Sequence, residues 1–169
     1  ITSMDDLAAP DVAAAFDEDG DGIADPVGCD EGWGCHLAIE EHLAQSDWGD
    51  TVEQVSGDYA AMIREAADRV EQGEPVLMYT WTPNWTVELL PPGDAVVWLE
   101  AEPLDGADAS ATTVEGLAGC ATGGDACQLG WPVNDIRAVA NEDFLAANPR
   151  VRALLEQVRI PLEDIVAQN

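Results

Sequence analysis

Residues 28–35 read Gly28-Cys29-Asp30-Glu31-Gly32-Trp33-Gly34-Cys35. Two cysteines bracket a Trp that has glycine on either side. Glycine lets the backbone bend sharply and lets another group approach it closely. The residues that follow carry Leu37, Ala38, Ile39 and Leu43, a pattern that predicts a helix over 34–46. The amides of Gly34 and Cys35 then fall in the first helical turn. N–H groups there have no intrahelical acceptor, and the positive end of the helix dipole adds to them. Such a turn is a socket for a carboxylate or another small anion. Trp33 comes from the same loop, so one short stretch pairs an anion socket with an aromatic face.

A second aromatic group, Tyr79-Thr80-Trp81-Thr82-Pro83-Asn84-Trp85, follows the apolar run 75–79 directly. That run reads as a buried strand. Ligands of α/β sheets bind at the carboxyl ends of strands, and Trp81 sits at such an end. Two indole faces beside an anion socket suit a zwitterion that carries a quaternary ammonium, the cation against the rings and the carboxylate on the amides. Trp48, Trp98 and Trp131 are read as ordinary packing residues, and His36 and His42 as surface residues of the helix.

Around these stretches, helices are expected at two places within 2–16, at 34–46, 58–72, 81–90, 141–157 with a break near Pro149, and from 161 to 167. Strands are expected at 51–55, 75–79, 95–99 and 132–140. Residues 17–33 and 100–130 read as loops. Strands alternating with helices predict an α/β layer architecture, and 169 residues fit a single domain spanning 1–169.

The charge is lopsided: 34 Asp and Glu against 6 Arg, no Lys, and a net charge of −28. Nucleic acid and anionic lipid are therefore poor partners, since both need a basic patch. Acids interleaved with apolar residues and six Trp argue against disorder. Two readings of the acid stand side by side, a plain solvated surface and an adaptation to high salt, where self-repulsion is screened. No apolar run approaches a membrane span, and the sequence opens at Ile1 without a signal-peptide pattern.

Four cysteines allow three connectivities. The most economical is two local bridges, Cys29 with Cys35 and Cys120 with Cys127, each closing a short loop worth roughly 2–2.5 kcal/mol in chain entropy. Bridges predict an oxidising, extracytoplasmic compartment. The Gly-rich stretch 119–127 reads as a stapled surface hairpin. The acidic stretch before Cys29 follows the D-x-D-x-D-G pattern of a calcium loop. Asp17, Asp19 and Asp21 would give carboxylate oxygens, Ile23 its backbone carbonyl, and Asp25 the ninth-position ligand. Gly28 stands where such loops place a bidentate Glu. The other reading is an acidic turn held by its own Asx hydrogen bonds. Any calcium here is expected to be structural, and no organic cofactor is expected.

Taken in order, the run from Phe16 through Cys35, Asp58-Tyr-Ala-Ala-Met62, Tyr79-Thr-Trp-Thr-Pro83, Asp94-Ala-Val-Val-Trp-Leu99 and Ala167-Gln-Asn169 resembles the glycine betaine/proline betaine-binding proteins of ABC transporters. Only 100–130, with Cys120 and Cys127, departs clearly. The resemblance implies one lobe of a type II periplasmic-binding-protein fold, a central mixed sheet flanked by helices, whose sister lobe is absent from this chain. It implies that Trp33 and Trp81 are two walls of a betaine box, that the Gly34 and Cys35 amides hold the carboxylate, and that Cys29 pairs with Cys35. The family's third Trp and its carboxylate-binding His belong to a Trp-Thr-Pro-x-His motif of the other lobe. Here Trp81-Thr-Pro83 runs on to Asn84, so neither histidine inherits that role. The implied function is uptake of glycine betaine or proline betaine through an ABC permease, in osmoprotection and without catalysis. Choline- or carnitine-type ligands and a calcium-stabilised structural module are the alternatives. Two cation–π contacts of about 2 kcal/mol each and two amide bonds, set against association entropy, predict only millimolar binding by one lobe.

Overall fold

The computed structural model describes residues 1–133, 137–161, 164, 165 and 168. A 3-10 turn over Met4–Ala8 opens the chain, closed by a capping box between Ser3 and Asp6. It is followed by the short helix α1 (Pro10–Ala13), α2 (Gly34–Gln45), α3 (Tyr59–Glu71) and the single turns α4 (Thr86–Leu89) and α5 (Ala109–Thr112). The hairpin β1 (Thr113–Glu115) and β2 (Ala126–Gln128) comes next, then α6 (Glu142–Ala147) and α7 (Pro149–Gln157).

The centre of the fold is a parallel ribbon that the sequence conceals. Residues 24–28 run between 51–55 and 77–79. On one side Ala24 donates to the Thr51 carbonyl and accepts from Glu53, while Val55 donates to Pro26 and Gly28 donates to Val55. On the other side Val27 donates to Leu77 (2.9 Å) and accepts from Tyr79 (2.8 Å). Pro26 has no N–H, so the ladder loses one donor toward 51–55 and the pairing stays in short bridges. That proline, with Gly28, is why 24–28 reads as a loop in the sequence.

Alternation sends Ala24 and Val27 to opposite faces of the ribbon, and each face has its own core. Ala24 packs with Leu7, Ala13, Trp48 and Val52. Val27 packs with Tyr59, Ile63 and Ala66 of α3. Helix α3 is the most amphipathic element, with Tyr59, Ile63, Ala66 and Ala67 buried at helical spacing. Asp58 caps it by accepting from the Ala61 amide, and Gly73 ends it at a positive φ of 78°. Full burial of Ile63 alone contributes roughly 1.5–3 kcal/mol.

Several expected elements take another form. Over 81–90 only Thr86–Leu89 is helical; before it the chain makes a turn containing a cis Thr82–Pro83 peptide, and the Asn84 side chain accepts from the Thr86 amide. Residues 75–79 are exposed or half-buried. Residues 95–99 form two isolated bridges, Val96 to Pro92 and Trp98 to Cys120, and Val97 is exposed, so this is no buried strand. The hairpin is longer than 119–127, pairing Thr113 with Gln128 and Val114 with Cys127. Described residues of 132–140 are not strand; 134–136 and most of 161–167 lie outside the described residues, as does Ala167-Gln-Asn169 apart from Gln168. The break expected near Pro149 falls at Asn148, between α6 and α7. The architecture is mixed α/β with a small sheet.

Candidate functional site

Both local disulfides form, Cys29–Cys35 with a Cα separation of 6.1 Å and Cys120–Cys127 with 5.8 Å. The first ties the end of the central ribbon to the start of α2. Trp33 is the residue before that helix and caps it without any side-chain bond, so its indole is free to face outward. Trp81 follows the 77–79 ribbon. Since Val27 pairs with Leu77 and Tyr79, the loop after 28 and the turn after 79 emerge at the same edge. The two indoles meet there at 6.4 Å between centroids and 71° between planes, forming a corner.

Trp33, Trp81, Tyr79 and Trp131 give the aromatic sides of an open cavity of about 550 Å³, and Gly34, Cys35 and Ala38 of α2 give its floor. The sequence-predicted group of Trp33, Gly34, Cys35 and Trp81 is therefore brought together in one place. Tyr79, Ala38 and Trp131 complete it. A neighbouring cavity of about 350 Å³ shares Trp33 and Trp81 and adds Asp30, Asp58 and Tyr59. Tyr59 supports the corner from below. Its ring lies 5.4 Å from Trp81 and 6.0 Å from Trp33, and its hydroxyl donates to the Tyr79 carbonyl at 3.0 Å. Burial pushes both the Tyr59 and Tyr79 phenols up from their ordinary value, so both are neutral donors at physiological pH.

A family model described as the substrate-binding domain of the ABC-type glycine betaine transport system (OpuAC) matches residues 1–169. The chain belongs to that family. This OpuAC-family chain is 39% identical over 174 residues to the glycine betaine-binding periplasmic protein OusX of Dickeya dadantii. It is 37% identical to the glycine betaine/proline betaine-binding periplasmic proteins of Salmonella typhimurium, over 169 residues, and of Escherichia coli, over 171 residues. Each comparison covers 100% of this chain and 49% of the relative, so the chain spans about half the length of the curated relatives it matches. The family is one of substrate-binding transport proteins.

Two histidine expectations divide. His36 is half-buried on α2, its Nδ1 3.0 Å from the Ser56 hydroxyl. His42 is no surface residue: it is 3% exposed, and its ring lies 4.0 Å from that of Trp131. The physical reason is the direction of α2. The helix turns Ile39 and His42 inward and packs Leu43 against the core, and of the expected apolar side only Leu37, 64% exposed, faces out. Burial lowers the His42 pKa against the opposing pull of Glu41.

The acidic loop is compact. Carboxylate oxygens of Asp17, Asp19 and Asp21 lie within 4.8 Å of one another. Asp17 accepts from Gly20 (2.7 Å) and Gly22 (2.8 Å), which holds its carboxyl below the usual range. Asp21 accepts from Ile23, and Asp25 accepts from the Glu18 amide at 2.7 Å. Desolvation, with the charges of Asp17 and Asp21 adding to it, raises the Asp25 pKa. Glu18 in turn pairs with Arg69 of α3, which also binds Glu74 and the Pro75 carbonyl, so the loop is fastened to the start of the 75–79 segment.

Proposed function

We propose that this chain is the box-bearing lobe of an extracytoplasmic betaine-binding protein, which delivers glycine betaine or proline betaine to an ABC permease. The observation that carries the reading is the Trp33–Trp81 corner set beside the Gly34 and Cys35 amides. A quaternary ammonium has no N–H to donate, so it is recognised by ring faces and by the shape of the corner. The carboxylate of the same molecule takes the first-turn amides of α2, a twelve-residue helix with no acid in its first turn to compete. The relatives named above are called glycine betaine- and proline betaine-binding periplasmic proteins, and this supports the ligand class and the compartment.

In this reading 1–169 is a single lobe of the type II binding-protein fold and works with a sister lobe. Trp33 is 44% exposed and Trp81 36%, so the corner stands open to water. Cation–π attraction and amide bonds strengthen when water is removed, and a second lobe closing over the corner does that. The role is capture and handover, with no chemical step. The acidic loop is a second, structural reading. The close approach of Asp17, Asp19 and Asp21, with the Ile23 carbonyl and Asp25 beside them in sequence, favours a Ca²⁺ that stiffens the approach to Cys29.

The test is a titration with glycine betaine, followed through the indole N–H resonances, with plain glycine and choline as controls. Saturable shifts of Trp33 and Trp81 with the betaine alone support the reading. Equal shifts with choline show that the amide socket is unused, and shifts with glycine remove the quaternary ammonium from the recognition.

A further inference from the structure

Helix α2 lines the cavity with Gly34, Cys35 and, one turn on, Ala38. His42, one turn beyond Ala38 on the same face, is buried. At Ala38 this face is only a methyl group deep. At His42 it is covered by Trp131, whose ring lies 4.0 Å from the imidazole at 32°. Trp131 also meets Tyr79 edge-on at 5.5 Å and 63°, and Tyr79 meets Trp81 at 6.2 Å. Aromatic rings therefore follow one another from Trp33 through Trp81 and Tyr79 to Trp131, around one side of the cavity.

The contact between His42 and Trp131 is a costly one. His42 Nε2 and Trp131 Nε1 are both buried and have no hydrogen-bond partner among the described residues. Leaving such groups unpaired is unfavourable, and a leucine or phenylalanine would fill the same space without that cost. Departures of this kind gather at functional positions. Trp131 is one of the residues lining the cavity, and its contact with His42 sets it two helical turns along α2 from Gly34. From Cys35 to His42 the helix advances about 10 Å. A carboxylate held by the first-turn amides thus starts the ligand at one end, and the indole of Trp131 closes the other.

We propose that Trp131 is the end wall of the betaine cavity and fixes the length of quaternary-ammonium carboxylate that the site accepts. The inference rests on the betaine reading given above. A single methylene between carboxylate and nitrogen keeps the methyl groups within the Trp33–Trp81 corner. A longer spacer drives them toward Trp131, whose indole is backed by His42 and Tyr79. Trp131 is thus a specificity residue, and His42 and Tyr79 are positioning residues that hold its ring.

The experiment compares two ligands, glycine betaine and 4-(trimethylammonio)butyrate, on the intact protein and on its W131A, W131F and W33A variants, by calorimetry. Removal of the indole is expected to shift preference toward the longer ligand by about tenfold, the scale of one or two methylenes in an apolar pocket. W131F shifts it less, and W33A weakens both ligands together. An unchanged preference in W131A and W131F, or an equal loss for both ligands, is what a packing residue gives and overturns the proposal while the betaine reading stands. An intact protein that binds neither ligand overturns both. If W131A fails to fold, as read from its thermal midpoint, W131F and W131L carry the comparison.

Discussion

Trp33 and Trp81 meet edge to face, 6.4 Å apart, although they come from loops that follow two different segments of the central ribbon. Their planes, 71° apart, make a corner that, in the function proposed above, takes a tetrahedral cation against both rings. Each face contributes roughly 1–2 kcal/mol once water is excluded, so W33A and W81A are each expected to weaken glycine betaine binding about tenfold or more. W81F keeps a ring and should retain part of the affinity. Fluorescence or calorimetric titration of the three variants checks this. Full affinity in W81A would mean that the ring is a bystander.

The Cys29–Cys35 bridge fixes where α2 begins, and with it the direction of the Gly34 and Cys35 amides. Replacing both cysteines by serine is expected to cost about 2 kcal/mol of stability by chain entropy. It should also weaken betaine binding, because the first turn of α2 loses its anchor. Removing Cys120 and Cys127 instead should cost a similar stability and leave binding unchanged, since that bridge lies in the β1–β2 hairpin and neither cysteine lines the cavity. Urea unfolding and titration of the two double variants separate these effects.

His42 is one group through which acid acts on stability. Burial holds its folded-state pKa below the ordinary value of about 6.5, so the native protein binds fewer protons than the unfolded chain. Its contribution to stability is complete above about pH 6.5 and is lost progressively as the pH falls toward the lowered folded-state value. The urea midpoint should drop as the pH falls below about 6.5, and His42→Phe should flatten that part of the slope. A variant whose slope matches the parent's would locate the titrating group elsewhere.

Calcium, if held by the acidic loop, binds the folded state and raises the thermal midpoint with concentration. Addition of Ca²⁺ should raise the midpoint, and chelation should reverse it. The D17N, D19N and D21N triple variant should show no response. Magnesium, which demands tighter octahedral geometry, should act weakly. A midpoint indifferent to Ca²⁺ leaves the loop as an acidic turn held by its own backbone bonds.

The aromatic corner was legible in the sequence because its parts are chemically conspicuous there. Gly32-Trp33-Gly34 inside a cysteine pair, and Trp81 just after an apolar run, announce themselves locally. The α3 helix was legible for the same reason, with its cap at Asp58 and its stop at Gly73. The central ribbon was not. Pro26 and Gly28 are loop formers by every local rule, and only pairing with 51–55 and 77–79 makes 24–28 extended. Nor was the depth of His42 legible, because α2 is weakly amphipathic and its inward face is chosen by what packs on it. Trp131 reaches the cavity by tertiary approach, from a Gly-rich region whose local pattern says nothing of α2.

The pairing of Val27 with both Leu77 and Tyr79 has a consequence for how this molecule tolerates change. The spacing between the two tryptophan-bearing loops is set by main-chain bonds of 2.9 Å and 2.8 Å, and every amino acid except proline brings the same donor and acceptor to such bonds. Side chains on the outer surface have no part in that measurement. A lineage can therefore turn its exterior over almost entirely, here to a net charge of −28, while the gauge between the indoles stays where the peptide groups put it.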